Sequence, residues 1–283
     1  MKTIVRSSTK QLVINTEGPV VMIGERINPT GRKRLAEALR DMDLDYVRSL
    51  ARQQAAAGAD LLDVNVGVPG VDDVALLPQV IQAVAAEVAL PLCIDTPNPQ
   101  ALEAALLVAP GKPLVNSVNG EESSLQNVLP LVKQRGAAVI GLTMDDKGIP
   151  PEAEARVAIA ERIVERAAQL GIPVEDILID PLVLTVGADS YAGRVTLETI
   201  RLVRHRLGVN VSLGATNVSF GLPERPIINQ AFLALSIQAG ATCMITDPEK
   251  LGLAIRATEL LLGRDDFAGR YIGMYRIQQK LKA

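Results

Sequence analysis

The residues able to do chemistry are mostly acids and amides at the ends of short apolar runs. Glu25, Arg26 and Asn28 close "VVMIGERIN", and Asp63 and Asn65 lie in "ADLLDVNVG". Asp95 and Thr96 end "LPLCIDT", while Asn116, Ser117 and Asn119 fall in "PLVNSVN". Further along come Thr143 and Asp145, then Asp180 in "ILIDPLV", then Thr216, Asn217 and Ser219 in "NVSLGATNVSF", then Asp247. Asn, Asp, Ser and Thr are good turn and N-cap residues, so any one of them has a local explanation. Asp145 in "MDDKG" reads best that way. Asp63, Asn65, Asn116 and Asp180 sit inside their apolar runs, where capping explains little. A buried polar side chain is costly without a partner, and a polar ligand is a partner that would satisfy them all.

The missing groups narrow the chemistry. The single histidine, His205, lies in a helical "RLVRHRLG", so a barrel hydrolase with several imidazole metal ligands is excluded, and no metal is expected. None of these runs ends in lysine, which argues against Schiff-base chemistry. There is no glycine-rich phosphate loop and no G-x-S-x-G elbow. Carboxylates and carboxamides together suit a ligand with amide, amino and ring-nitrogen groups, such as a pterin or purine edge.

Eight apolar runs, each followed by an Ala/Leu/Glu-rich helical stretch, must position these groups. The runs cover 20–28, 59–67, 90–96, 113–119, 137–144, 177–183, 210–218 and 241–247. Their near-continuous apolar character fits strands covered on both faces. Helices are expected at 45–57, 73–88, 99–108, 123–135, 152–170, 194–206, 226–239 and 249–263. Gly58, Gly136, Gly171 and Gly240 follow helical stretches, where glycine is the usual terminator. Eight β/α units predict an α/β fold, the (β/α)8 TIM barrel, with active groups at the C-terminal ends of the strands. Residues 1–283 are read as one barrel domain. Within it, 1–18 form a tail or lid at the barrel's bottom and 264–283 an exposed terminal helix.

The chain has 283 residues, a formal charge of -3 and only seven Phe and Tyr with no Trp, so nothing favours nucleic acid. No apolar run reaches the length of a membrane span, and the N-terminus lacks a signal-peptide core. Cys93 and Cys243 lie far apart in apolar runs and read as buried thiols. A cytoplasmic protein with neither a nucleic-acid nor a membrane partner is expected.

Seven ordered motifs carry a resemblance: "IGERIN" with "NPTG", "GADLLDVNVG", "CIDT", "VNSVNGE", "GAAVIGLTMDDKGIP", "IDPL" and "GATNVSFGLPERPIIN". Over about residues 20–265 the chain resembles the pterin-binding methyltransferases. These comprise the methyltetrahydrofolate:corrinoid protein methyltransferases and the folate domain of cobalamin-dependent methionine synthase. The resemblance implies transfer of the N5 methyl group between methyltetrahydrofolate and the cobalt of a corrinoid (cobalamin) on a partner protein. It implies that Asn217 is catalytic at N5. It also implies that Asp95, Asn116 and Asp180 hold the pterin edge with Asp63 and Asn65 close by, and that Gly214 and Thr216 shape the N5 side. Arg225 would lie near the glutamate tail or the corrinoid partner. A homodimer is expected on the same ground.

Two other readings stand beside this one. A non-catalytic folate-binding paralogue would keep the pterin edge and lose Asn217. The dihydropteroate synthases share the barrel but use a lysine in the seventh loop and an Arg-x-His near the eighth strand; here those places hold Asn217 and "MITDPEK". "HRLG" at 205–208 matches part of a corrinoid-ligand motif, but Val203 breaks it. The corrinoid is therefore expected on another protein.

Overall fold

The computed structural model describes residues 1–282. Eight parallel strands close into a barrel: β3 (Val21–Ile27), β4 (Leu61–Val64), β5 (Leu92–Asp95), β6 (Leu114–Asn119), β7 (Ala138–Leu142), β8 (Ile177–Asp180), β9 (Asn210–Leu213) and β10 (Cys243–Thr246). They follow chain order around the ring, and β10 pairs back onto β3. The expected (β/α)8 TIM barrel is the observed fold.

Around the barrel pack α2 (Leu44–Ala56), α3 (Asp73–Glu87), α4 (Pro99–Val108), α5 (Glu122–Arg135), α6 (Ala153–Gln169), α7 (Ala192–Arg206), α8 (Arg225–Ala239) and α9 (Pro248–Leu261). Their starts are chemically marked. Asp72 and Asn98 each accept two backbone N–H groups at the head of α3 and α4, and Asp247 caps α9. A short helix, α1 (Lys33–Arg40), precedes α2 and has no counterpart among the expected helices. Its first turn contains no acidic residue and no side chain caps it, so it lacks the usual start signal.

Of the two forms expected for residues 1–18, a tail or a lid at the barrel's bottom, the structure shows the lid. These residues form an antiparallel hairpin, β1 (Lys2–Arg6) and β2 (Gln11–Asn15), which plugs the barrel's N-terminal end. Val5 and Ile14, both fully buried, join Val21, Ile23, Leu61, Cys93, Leu114, Ala138, Ile140, Leu178 and Cys243 in one apolar cluster. Asn210 ties the plug to the wall, donating from Nδ2 to Thr3 Oγ1 and to the Ile14 carbonyl. The last helix, α10 (Gly269–Lys282), is largely exposed but buries Met274 against Gly58 and Gly252. Ala283 lies outside the described residues.

Candidate active site

Alternation along each strand builds the site. Side chains two apart on a strand share a face, so the residues just above the apolar layer point into the barrel mouth. Above Ile23 comes Glu25, above Leu61 Asp63, above Cys93 Asp95, above Leu114 Asn116, and above Leu178 Asp180. The barrel thus carries an apolar floor and, one layer up, a polar ring.

Asp63, Asn65, Asp95 and Asn116 form one hydrogen-bonded group. Asn116 Nδ2 donates to Asp63 Oδ1 at 3.2 Å, and Asn65 Nδ2 donates to Asp95 Oδ2 at 3.0 Å. Asn65 is held in turn by the Gly67 N–H on its Oδ1 at 2.7 Å. Burial pushes the Asp63 carboxyl well above the usual carboxylate range, and the charge of Asp95 pushes it the same way. Burial raises Asp95 too, opposed by hydrogen bonds from Asn65 and Asp63. Burial and mutual repulsion thus both work against two negative charges on this pair. Beside Asp95 and Asn116 opens a cavity of about 580 Å³, which also reaches Ser117, Asn119, Ser124 and Asn127.

Asp180 stands alone on β8. Burial raises its carboxyl from 3.8 to about 7, opposed by the N–H groups of Leu182 and Gly214 and by the Arg156 charge. The Leu182 N–H lies 2.8 Å from Oδ1. Arg156, 1% exposed, is a part of the site that the sequence does not announce. It bonds the carbonyls of Pro150, Pro181 and Leu182 and so fixes the backbone just after Asp180. Burial lowers its own pKa, and no spacing in the sequence marks it.

The seventh barrel strand ends earlier than the apolar pattern suggests. β9 stops at Leu213, and Ala215–Ser219 form a 3-10 turn rather than a continuation to 218. The turn buries Ala215, Val218 and Ser219 and leaves Asn217 exposed at the rim, with Thr216 half-buried. A Cβ added at Gly214 would sit 3.4 Å from the Asn217 amide nitrogen, an ordinary contact distance, so Gly214 borders that carboxamide. Arg225 lies against this turn, donating to Ser219 Oγ and to the Thr216 carbonyl, each at 3.0 Å.

Glu25, given no role by the sequence, is raised by burial, against the opposing charge of Arg32. Asp247, Lys250 and Arg225 also act on it, which places it on the same side of the mouth as the Asn217 turn. Other strand-end residues serve local structure. Asp145 accepts from Arg162 and closes a turn with Gly148, and Asn119 accepts the Glu121 N–H. His205 is exposed on α7. Among the described residues no group of three His, Cys, Asp or Glu is placed to hold a metal. No described helix is long and apolar enough to cross a membrane.

The fold and site define a parallel barrel whose C-terminal mouth is ringed by carboxylates and carboxamides. A sequence profile of pterin-binding enzymes matches residues 24–247, and the chain belongs to that family. It is 32% identical over 267 residues to the methylcorrinoid:tetrahydrofolate methyltransferase of Eubacterium limosum, spanning 91% of this chain and 96% of that protein. It is 34% identical over 248 residues to methionine synthase of Mycobacterium tuberculosis; the match spans 83% of this chain but only 21% of that longer protein. Among solved structures, the Yersinia pestis dihydropteroate synthase superposes with a TM-score of 0.70 at 17% identity, covering 92% of this chain and 99% of that one. The Thermus thermophilus enzyme gives 0.65 at 21%, covering 92% and 99%. At such identities the structural likeness speaks for the fold alone.

Proposed function

We propose that the protein moves a methyl group between N5 of tetrahydrofolate and the cobalt of a corrinoid carried by a separate protein. The observation that carries this reading is the pairing of a carboxylate-carboxamide ring with a neutral Asn217 at the rim. Similarity to the Eubacterium limosum enzyme over nearly the full length of both chains supports it.

The pterin's amino-pyrimidinone edge presents N–H donors, which carboxylate oxygens accept. Asp95 and Asp180 take these donors, and Asn116, which gives one Nδ2 hydrogen to Asp63, offers its oxygen. Asp63 and Asn65 hold Asn116 and Asp95 in position. As the methyl group leaves N5 for Co(I), the electron pair of the carbon–nitrogen bond stays on N5, which gains a proton. A neutral carboxamide can accept a hydrogen bond from protonated N5 or donate one to its lone pair. Asn217 therefore follows the charge change and favours the transition state over the bound substrate. In reverse, the N–H of tetrahydrofolate loses its proton as N5 takes the methyl group, and the same residues serve. Where a departing pyrophosphate would call for a lysine the seventh loop presents Asn217, and the nearby Arg225 is engaged by the Thr216 carbonyl and the Ser219 hydroxyl. The reading includes the corrinoid-bearing partner and the homodimer.

The test mixes the protein with methyltetrahydrofolate and a reduced corrinoid, free or protein-bound. Appearance of the methylated corrinoid is expected. Tight folate binding with no transfer to either acceptor would leave a folate-binding paralogue instead.

A further inference from the structure

The turn that carries Asn217 is gripped from both sides by residues the proposed chemistry does not use. In a 3-10 turn, residues three apart eclipse one another. Thr216 and Ser219 therefore share one edge, and Asn217 and Phe220 share the next. Arg225 takes hold of the first edge at both ends, through the Thr216 carbonyl and the Ser219 hydroxyl. Ser219 Oγ, fully buried, donates its proton to Asn229 Oδ1 at 2.7 Å in the first turns of α8. The Phe220 ring, half exposed, lies 4.5 Å beneath the same guanidinium. The loop after β8 holds the other side: the Val186 N–H donates to the Val218 carbonyl at 2.9 Å, and Thr185 Oγ1 to the Phe220 carbonyl at 2.6 Å. Every contact fixes backbone or a neighbour. Among the described residues the Asn217 carboxamide itself is engaged by none of them.

Stability does not call for this arrangement. Ser219 and Asn229 are 0% and 8% exposed, and replacing both partners of a buried hydrogen bond with apolar groups is often near neutral. Their hydrogen bonds do fix one position and one orientation of the turn, which apolar packing would leave looser. Accepting the methyl-transfer reading above, we infer that Ser219 and Asn229 are positioning residues: through Arg225 they set where the Asn217 carboxamide meets N5.

Because Asn217 acts as the charge on N5 changes, loosening its turn should slow transfer and spare folate binding. The pterin edge is held across the barrel by Asp95 and Asn116, and on the neighbouring strand by Asp180, which takes the Gly214 N–H; none of the three bonds Ser219 or Asn229. Displacement of a catalytic group by about 1 Å can cost up to about 100-fold in rate, so Ser219→Ala should lower kcat at least about fivefold and leave KM for methyltetrahydrofolate within about twofold. Asn229→Leu should match it, whereas Asn229→Asp, which keeps an oxygen acceptor, should restore most of kcat. In an Asn217→Ala background, Ser219→Ala should cost nothing further, because it acts only through the missing amide.

The assay is methyl transfer to a free reduced corrinoid, with thermal unfolding followed for each variant. Unchanged kcat in a folded Ser219→Ala protein would overturn the inference, as would KM rising in step with the fall in kcat or an additive double variant. If Ser219→Ala fails to fold, the Asn229→Asp and Asn229→Leu pair decides: equal kcat in the two overturns it. Absence of transfer by the wild-type protein in the same assay would instead overturn the reaction, and the inference with it.

Discussion

Asp180→Asn separates the cost of this site from its use. Burial holds the Asp180 carboxyl near 7 instead of 3.8. At about 1.4 kcal/mol for each tenfold change in acidity, ionising it in the folded protein is about 4 kcal/mol harder than in the unfolded chain. The sign follows from proton counts. Between the two pKa values the folded protein holds a proton that the unfolded chain has lost, so stability falls as pH rises through that window. About 3 kcal/mol of the fall should lie between about pH 5 and pH 8. Asparagine cannot ionise, yet its oxygen can still accept the Leu182 N–H. Asp63, Asp95 and Glu25 are raised in both proteins and cancel in the difference. The stability of Asp180→Asn relative to wild type should therefore improve by about 3 kcal/mol over that range. Urea unfolding followed by circular dichroism measures this, since the chain has no Trp for fluorescence. A difference constant with pH would refute the burial argument.

Ionised Asp180 is the form that accepts pterin N–H groups, so tetrahydrofolate affinity in the wild type should strengthen as pH rises toward and past 7, with the dependence weakened in Asp180→Asn; titration calorimetry at several pH values checks both. Arg156→Met leaves the Pro181 and Leu182 carbonyls without their donor and should cost about 2–4 kcal/mol in urea unfolding while weakening folate binding. Ile14→Ala opens a hole in the plug and should cost about 2–5 kcal/mol with KM for folate unchanged, because the plug lies at the end of the barrel opposite the mouth.

Period-two patterning explains why much of the site is legible in the sequence. Leu61 before Asp63, Cys93 before Asp95, Leu114 before Asn116 and Leu178 before Asp180 each place an apolar floor residue beneath a polar one. In a closed barrel those four polar groups have to converge. The apolar pattern overstates β9 because Val218 continues it, although that side chain packs from a turn and not from a strand. The hairpin is hidden because its two strands show only weak alternation and are joined by no Asn-Gly or Asp-Gly turn signal. Arg156 joins carbonyls 25 and 26 residues away, and Ser219 meets Asn229 across ten, contacts that only the fold creates. Arg225, which the resemblance puts near the glutamate tail or the corrinoid partner, grips the Asn217 turn in the structure through the Thr216 carbonyl and the Ser219 hydroxyl.

The most direct test of the central claim is the rate of methyl transfer by Asn217→Ala set beside its affinity for tetrahydrofolate. Loss of a hydrogen bond made mainly in the transition state should lower kcat by about 10- to 1,000-fold, with tetrahydrofolate bound within about threefold of wild type. A variant that transfers the methyl group at the wild-type rate would contradict the account.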